Sequence, residues 1–148
     1  KIARAGERIL LDSGIFIDIL SPQENLEGKE FKDSNDTSVV AELRNNTKSF
    51  LFVGDIGKKI EQQLVNQGIK ADILKVAHHG SKNSILDDFY KELSAGIAII
   101  SVGKNSYGHP SQALLEKLQN FGIDVLRTDK NGDIKFLTDG LNLQLITN

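Results

Sequence analysis

Two short apolar runs dominate the middle of the chain. Phe50 to Val53 runs straight into Gly54-Asp55, and Ile73 to Ala77 runs into His78-His79-Gly80-Ser81, so each run ends on a polar cluster. Continuous apolar stretches of this length, bounded by turn residues, predict buried strands. Between them Ile56, Ile60, Leu64 and Val65 recur at helical spacing and the pattern stops at Gly68, which predicts a strand, helix, strand unit. A right-handed crossover makes the two strands parallel and brings both polar ends to one rim, the edge at which open α/β sheets bind ligands.

The flanking pattern extends this sheet. Arg8 to Leu11 and Ile15 to Leu20 surround Asp12-Ser13-Gly14 and predict a hairpin of outer strands, closed by Ser21-Pro22. Gln23 to Asn35 has no periodicity and reads as a charged loop. Val39 to Leu43 predicts a strand that turns at Asn45-Asn46 into the Phe50 strand. Ile85 to Leu93 predicts a helix with Ser84 as N-cap and Asp87 and Asp88 in its first turn. Gly96 to Val102 predicts a third inner strand, ending in the polar loop Gly103 to Pro110. Pro110 suits the first turn of the next helix, whose stripe is Ala113, Leu114, Leu118 and Phe121. Asp124 to Thr128 and Asp133 to Leu137 flank Lys130-Asn131-Gly132, which predicts an Asn-Gly hairpin turn, and Asp139-Gly140 introduces a last strand, Leu141 to Ile146.

Composition narrows the picture. A chain of 148 residues is the size of one domain. The net charge of −2 gives no bulk basic field, so any contact with nucleic acid must be local. The absence of cysteine excludes disulfides and thiolate zinc sites. No apolar run approaches the ~20 residues that cross a bilayer. A chain that begins at Lys1 and contains no methionine reads as an excised segment, or as one from which a leader has been removed.

A carboxylate and imidazoles converging on a rim are the parts of a metal site, because imidazole suits zinc and copper while carboxylate suits harder ions such as manganese. Asp55 also precedes a helix and reads equally as its N-cap. Neighbouring histidines on a strand point to opposite faces, so at most one of the pair would ligate a given ion. Asn35 and Ser38 fit a turn that starts a strand. Ser81 and Lys82, beside backbone amides at a helix start, fit a phosphate cradle, and a lone exposed lysine is more often only solvated.

Five ordered blocks, NDTSVV, FLFVGD, ADILKVAHHGSKNS, IISVGKNSYGHP and VLRTDKNGDI, resemble the second half of the metallo-β-lactamase-fold domain of the ComEC/Rec2 family of DNA internalisation competence proteins. The resemblance covers nearly the whole chain. It implies half of a metallo-β-lactamase αββα sandwich: a single, incomplete domain over residues 1–148, a mixed sheet with helices on one face, and an open apolar face that packs on the other half. That first half carries an HxHxDH signature in the family. No such motif occurs here, and three histidines, His78, His79 and His109, cannot complete a two-metal constellation.

The resemblance further implies metal-dependent phosphodiester hydrolysis of single-stranded DNA during uptake, with two divalent ions, zinc or manganese, ~3.5 to 4 Å apart. Asp55 would bridge the ions and His79 would be a terminal ligand, with the remaining ligands from the other half. His78 would face the substrate phosphate or donate a proton, and His109 would act in proton transfer. Asn35 and Ser38 would border the site, with Ser81 and Lys82 toward the substrate. The partners implied are DNA, the rest of the domain and membrane channel segments; the location is at the cell membrane, outside the cytoplasm, with the cytoplasm as the alternative. Other readings of the same rim are a hydrolase of a small phosphoester or amide, and a binding module whose site has decayed.

Overall fold

In the computed structural model, which describes residues 2–83 and 86–146, the chain forms a seven-stranded sheet whose spatial order is its sequence order. The strands are β1 (Arg8–Asp12), β2 (Ile15–Ser21), β3 (Val40–Asn45), β4 (Lys48–Phe52), β5 (Ile73–Lys75), β6 (Ile97–Ile100) and β7 (Asp124–Arg127). Tight turns join β1 to β2 and β3 to β4, and the long segment 22–39 joins β2 to β3; these four strands pair antiparallel, whereas helices join β4 through β7, which pair parallel. The parallel half follows from its helical connections, since only a crossover returns the chain in the same direction.

The crossover helices are α1 (Lys58–Asn66), α2 (Asp87–Leu93) and α3 (Gln112–Asn120). All three crossovers step across the sheet in the same sense, and a common hand therefore puts their helices on one face. Packing agrees: Ile60, Leu64, Phe89, Tyr90, Leu93, Leu114 and Leu118 share one buried core with the alternate strand positions Leu51, Val53, Leu74, Val76, Ala98 and Ile100. Burying a side chain of this kind contributes about 1.5–3 kcal/mol, so this cluster is the main stabiliser of the fold.

The opposite face carries Leu43, Phe50, Phe52, Lys75, Ile97 and Ile99 in cross-strand register. It stays partly open, with Phe52 47% exposed. A separate hairpin of β8 (Lys135–Thr138) and β9 (Leu143–Ile146) begins to cover it, with the Phe136 ring edge-on to Phe50 at 6.5 Å. Thr47 anchors this hairpin by donating its backbone N–H and its hydroxyl to Gly140 O at 3.0 and 2.7 Å. At the Asp139-Gly140 turn the Asp139 carboxylate accepts the Leu141 and Asn142 N–H groups, which hold its pKa down to about 2.

Several expectations are corrected. Lys130-Asn131-Gly132 is not a hairpin turn: β7 and β8 lie in different sheets, and Thr128–Asn131 forms a short helical turn, α4, instead. There the Asn131 side-chain Oδ1 accepts the Arg127 N–H at 2.8 Å, which closes the turn. The Ile73 strand ends at Lys75, not Ala77. Pro110 precedes the helix rather than entering it; Ser111 is the N-cap, its Oγ accepting from Leu114 N at 3.3 Å. Of the predicted α3 stripe only Leu114 and Leu118 are buried, while Ala113 and Phe121 are exposed. Ser84 and Ile85 lie outside the described residues, and α2 is described from Asp87.

Candidate metal centre at the strand rim

The ends of β4 and β5 are tied together by the His78 N–H, which donates to Gly54 O at 3.1 Å. Asp55 thus follows one strand end and the histidine pair the next, at the shared carboxyl rim. Asp55 does not cap α1. The N-cap is Gly57, with no side-chain cap bond. The backbone N–H of Asp55 donates to Ser38 Oγ at 3.2 Å, so Ser38 fixes the turn that presents the aspartate. Gly54 permits this close approach: its φ is +59°, and a Cβ there would meet the Ser38 side chain at 3.1 Å.

His78 and His79 do not alternate along a strand as expected. They sit in the turn Ala77–Gly80 with φ of 45° and 53°, in the left-handed region that non-glycine residues occupy at a cost of about 1–3 kcal/mol each. Successive left-handed residues turn both imidazoles toward the rim, with ring centroids 6.4 Å apart. The His79 Nδ1 lies 2.7 Å from Ser101 O. A carbonyl only accepts, so Nδ1 carries the proton and Nε2 keeps its lone pair, the arrangement of a histidine prepared to ligate.

Gly80 carries the turn against the loop after β6. Its φ is +85°, and a Cβ there would meet the Pro110 Cβ at 2.6 Å. Ser111 N donates to Gly80 O at 2.8 Å. The contact brings His109 to His78, with ring centroids 5.5 Å apart. Partial burial, and then the neighbouring His78 and His79, push the His109 pKa below its usual value. His79, Ser101, Val102, Tyr107, His109 and Thr128 line a cleft of about 360 Å3. Its floor is stiffened by Thr128, whose hydroxyl accepts the Val102 N–H and donates to Val102 O at 2.8 and 2.7 Å.

The other candidates are placed less evenly. Ser81 is buried and its hydroxyl accepts the Asn83 N–H at 3.3 Å, so it serves the turn; Lys82 stands exposed. Asn35 lies in a short 3-10 turn, Ser34–Thr37, whose cap is the Asp33 carboxylate, and it reaches the rim only through the following Ser38. Among the described residues no three of His, Asp and Glu cluster closely enough to hold a metal ion. Asp55 supplies a carboxylate oxygen and His79 an imidazole nitrogen at this rim, donor types that suit a zinc or manganese ion.

Three residues of this region escaped the sequence reading. Lys75 lies on the open sheet face, its Nζ donating to Val76 O at 2.8 Å; burial lowers its pKa and the Asp55 charge opposes that shift. A lone charge inside an apolar strand was the available signal. Asn105 organises the loop after β6: its Nδ2 donates to Gly103 O and His109 O, and its Oδ1 accepts the Tyr107 and His109 N–H groups, all at 2.8 to 3.1 Å. Glu61 on α1 is fully buried and accepts the Leu86 N–H at 2.9 Å at the start of α2. No local pattern marks it.

No family model matches the chain. Curated relatives do: it is 43% identical over 121 residues to ComE operon protein 3 of Bacillus subtilis, across 80% of this chain and 15% of the relative. It is 31% identical over 127 residues to competence protein ComA of Neisseria gonorrhoeae, across 83% of this chain and 18% of that protein. It is also 31% identical over 134 residues to recombination protein 2 of Haemophilus influenzae, across 88% of this chain and 16% of that protein. The chain belongs to the ComEC/Rec2 family of competence proteins. It spans less than a fifth of the length of these relatives. The crystal structure of a Parabacteroides distasonis protein named as a metal-dependent hydrolase superposes with a TM-score of 0.52 at 15% identity, over 83% of this chain and 55% of that one. That likeness shows the fold: a mixed α/β half of a metallo-β-lactamase sandwich. Among the described residues no helix is long and apolar enough to cross a membrane.

Proposed function

We propose that this chain is the C-terminal half of a single metallo-β-lactamase-fold domain that hydrolyses phosphodiester bonds of single-stranded DNA during uptake, its metal centre completed by an HxHxDH-bearing half packed on the open sheet face. The observation that carries the reading is the bond from His78 N–H to Gly54 O, which ties the aspartate-bearing strand end to the histidine-bearing one. Family membership and the hydrolase fold support it.

Asp55, through its carboxylate, and His79, through its imidazole, would hold zinc or manganese. Two such ions supply activation of water and charge stabilisation at the leaving oxygen. The remaining work falls to side chains of this chain. Ser38 keeps Asp55 in place, and the Ser101 carbonyl keeps the His79 ring from turning. His109, whose pKa partial burial and the neighbouring His78 and His79 push below its usual value, would accept a proton beside His78, which would face the phosphate. Exposed Lys82 would stand toward the substrate, where a cation attracts the DNA backbone. The domain would work at the cell membrane, outside the cytoplasm, next to channel segments of the longer protein.

The test joins this chain to an HxHxDH-bearing half and follows cleavage of an end-labelled single-stranded oligonucleotide in manganese or zinc. Cleavage that falls at least 100-fold in Asp55→Ala supports the reading. Turnover of a small phosphoester or an amide with intact DNA contradicts it.

A further inference from the structure

Outside the ligand candidates, the most exposed large apolar side chain of the described residues stands at the mouth of the same cleft. Tyr107 is 82% exposed. Its ring is not loose: it stacks on His109 with centroids 6.0 Å apart and planes 23° from parallel. The backbone beneath it is held by Asn105, whose Oδ1 accepts the Tyr107 N–H at 3.1 Å. A fixed aromatic with one face on an imidazole and the rest in water is left with its outer face unoccupied. Water gains nothing from that face, whereas the flat face of a nucleobase does.

We propose that Tyr107 is a stacking platform for a nucleobase of single-stranded DNA, and thereby a residue that selects single-stranded over duplex substrate. Bases in a duplex are already stacked on each other and cannot lie on an external ring, whereas a single strand can splay one out. The neighbours suit the assignment. His109, His79 and the apolar wall at Val102 and Thr128 line the same cleft, so a base on Tyr107 sets the adjoining phosphodiester beside the imidazoles. The net charge of −2 gives little general attraction for DNA, which makes a local anchor of this kind the more necessary. Platform stacking tolerates any base, so no sequence preference is expected. The inference rests on the reading of the rim as a DNA site.

The experiment titrates the wild-type chain, Tyr107→Phe and Tyr107→Ala into a short fluorescein-labelled oligothymidylate and into a labelled abasic oligonucleotide of equal length, reading binding by fluorescence anisotropy, with circular dichroism to verify the fold. Expected are tighter binding of the base-bearing strand than of the abasic strand, retention in Tyr107→Phe, and about ten-fold loss in Tyr107→Ala confined to the base-bearing strand. Equal affinity of Tyr107→Ala and wild type for oligothymidylate overturns the platform and leaves the DNA site standing, as does an equal loss on both strands. Failure of both strands to bind any variant overturns the DNA reading and the platform with it.

Discussion

Gly80 and Pro110 touch so closely that a Cβ on the glycine would sit 2.6 Å from the Cβ of the proline. This contact joins the turn bearing His78 and His79 to the loop bearing His109, which come from different crossovers. Gly80 also has a left-handed φ of +85°, unfavourable for any side chain. Gly80→Ala is expected to cost at least about 2 kcal/mol from strain and overlap combined, measured by urea unfolding, and to separate the His78 and His109 ring signals in NMR spectra.

Asn105 satisfies four backbone groups of its loop while remaining exposed itself. Its loss would therefore free the loop without disturbing the core. For Asn105→Ala the global unfolding free energy is expected to fall by no more than about 1 kcal/mol. Hydrogen exchange of the Tyr107 and His109 amides is expected to accelerate at least ten-fold, because each donates to the lost oxygen.

Glu61 gives stability a definite pH dependence. Burial raises its pKa from 4.5 to about 7, only partly offset by the Leu86 N–H bond and by Lys58 and Lys117, and it faces the buried Tyr90. The folded state therefore holds a proton that the unfolded state has released. Stability from this group is full below pH ~4.5 and is lost as pH rises through about 7, on the order of 3 kcal/mol in all. Glu61→Gln keeps an acceptor for Leu86 and should abolish that slope, leaving the variant more stable than wild type at pH 8 by urea unfolding.

The parts of the rim that were legible in the sequence depend on chain direction. Apolar runs that stop at Gly54-Asp55 and His78-His79, separated by a helical period, fix two parallel strand ends, and the register of Leu51 with Leu74 bears this out. Side-chain direction was not legible, because no local preference of histidine marks the left-handed backbone that His78 and His79 adopt. Asn131-Gly132 carries a strong hairpin signal, yet β8 pairs with β9 in a second sheet and not with β7. Glu61 was invisible for a simpler reason: periodicity counts apolar letters, and its partner is a backbone amide 25 residues away.

Ser38 contributes only through Asp55. Ser38→Ala removes the oxygen that accepts the Asp55 N–H and should weaken divalent metal uptake by the joined domain about ten-fold, the usual effect of losing a partner that orients a ligand. Ser38→Thr keeps the hydroxyl and should restore uptake. Calorimetric titration of the two variants distinguishes lost orientation from lost fold.

The central claim is that Asp55 and His79 form one part of a divided metal centre. Calorimetric titration of manganese or zinc decides it, with this chain alone and joined to an HxHxDH-bearing half. The account predicts weak uptake by the chain alone, and two ions per joined molecule with binding lost in Asp55→Ala. Tight, stoichiometric uptake by the chain alone that survives Asp55→Ala would contradict it.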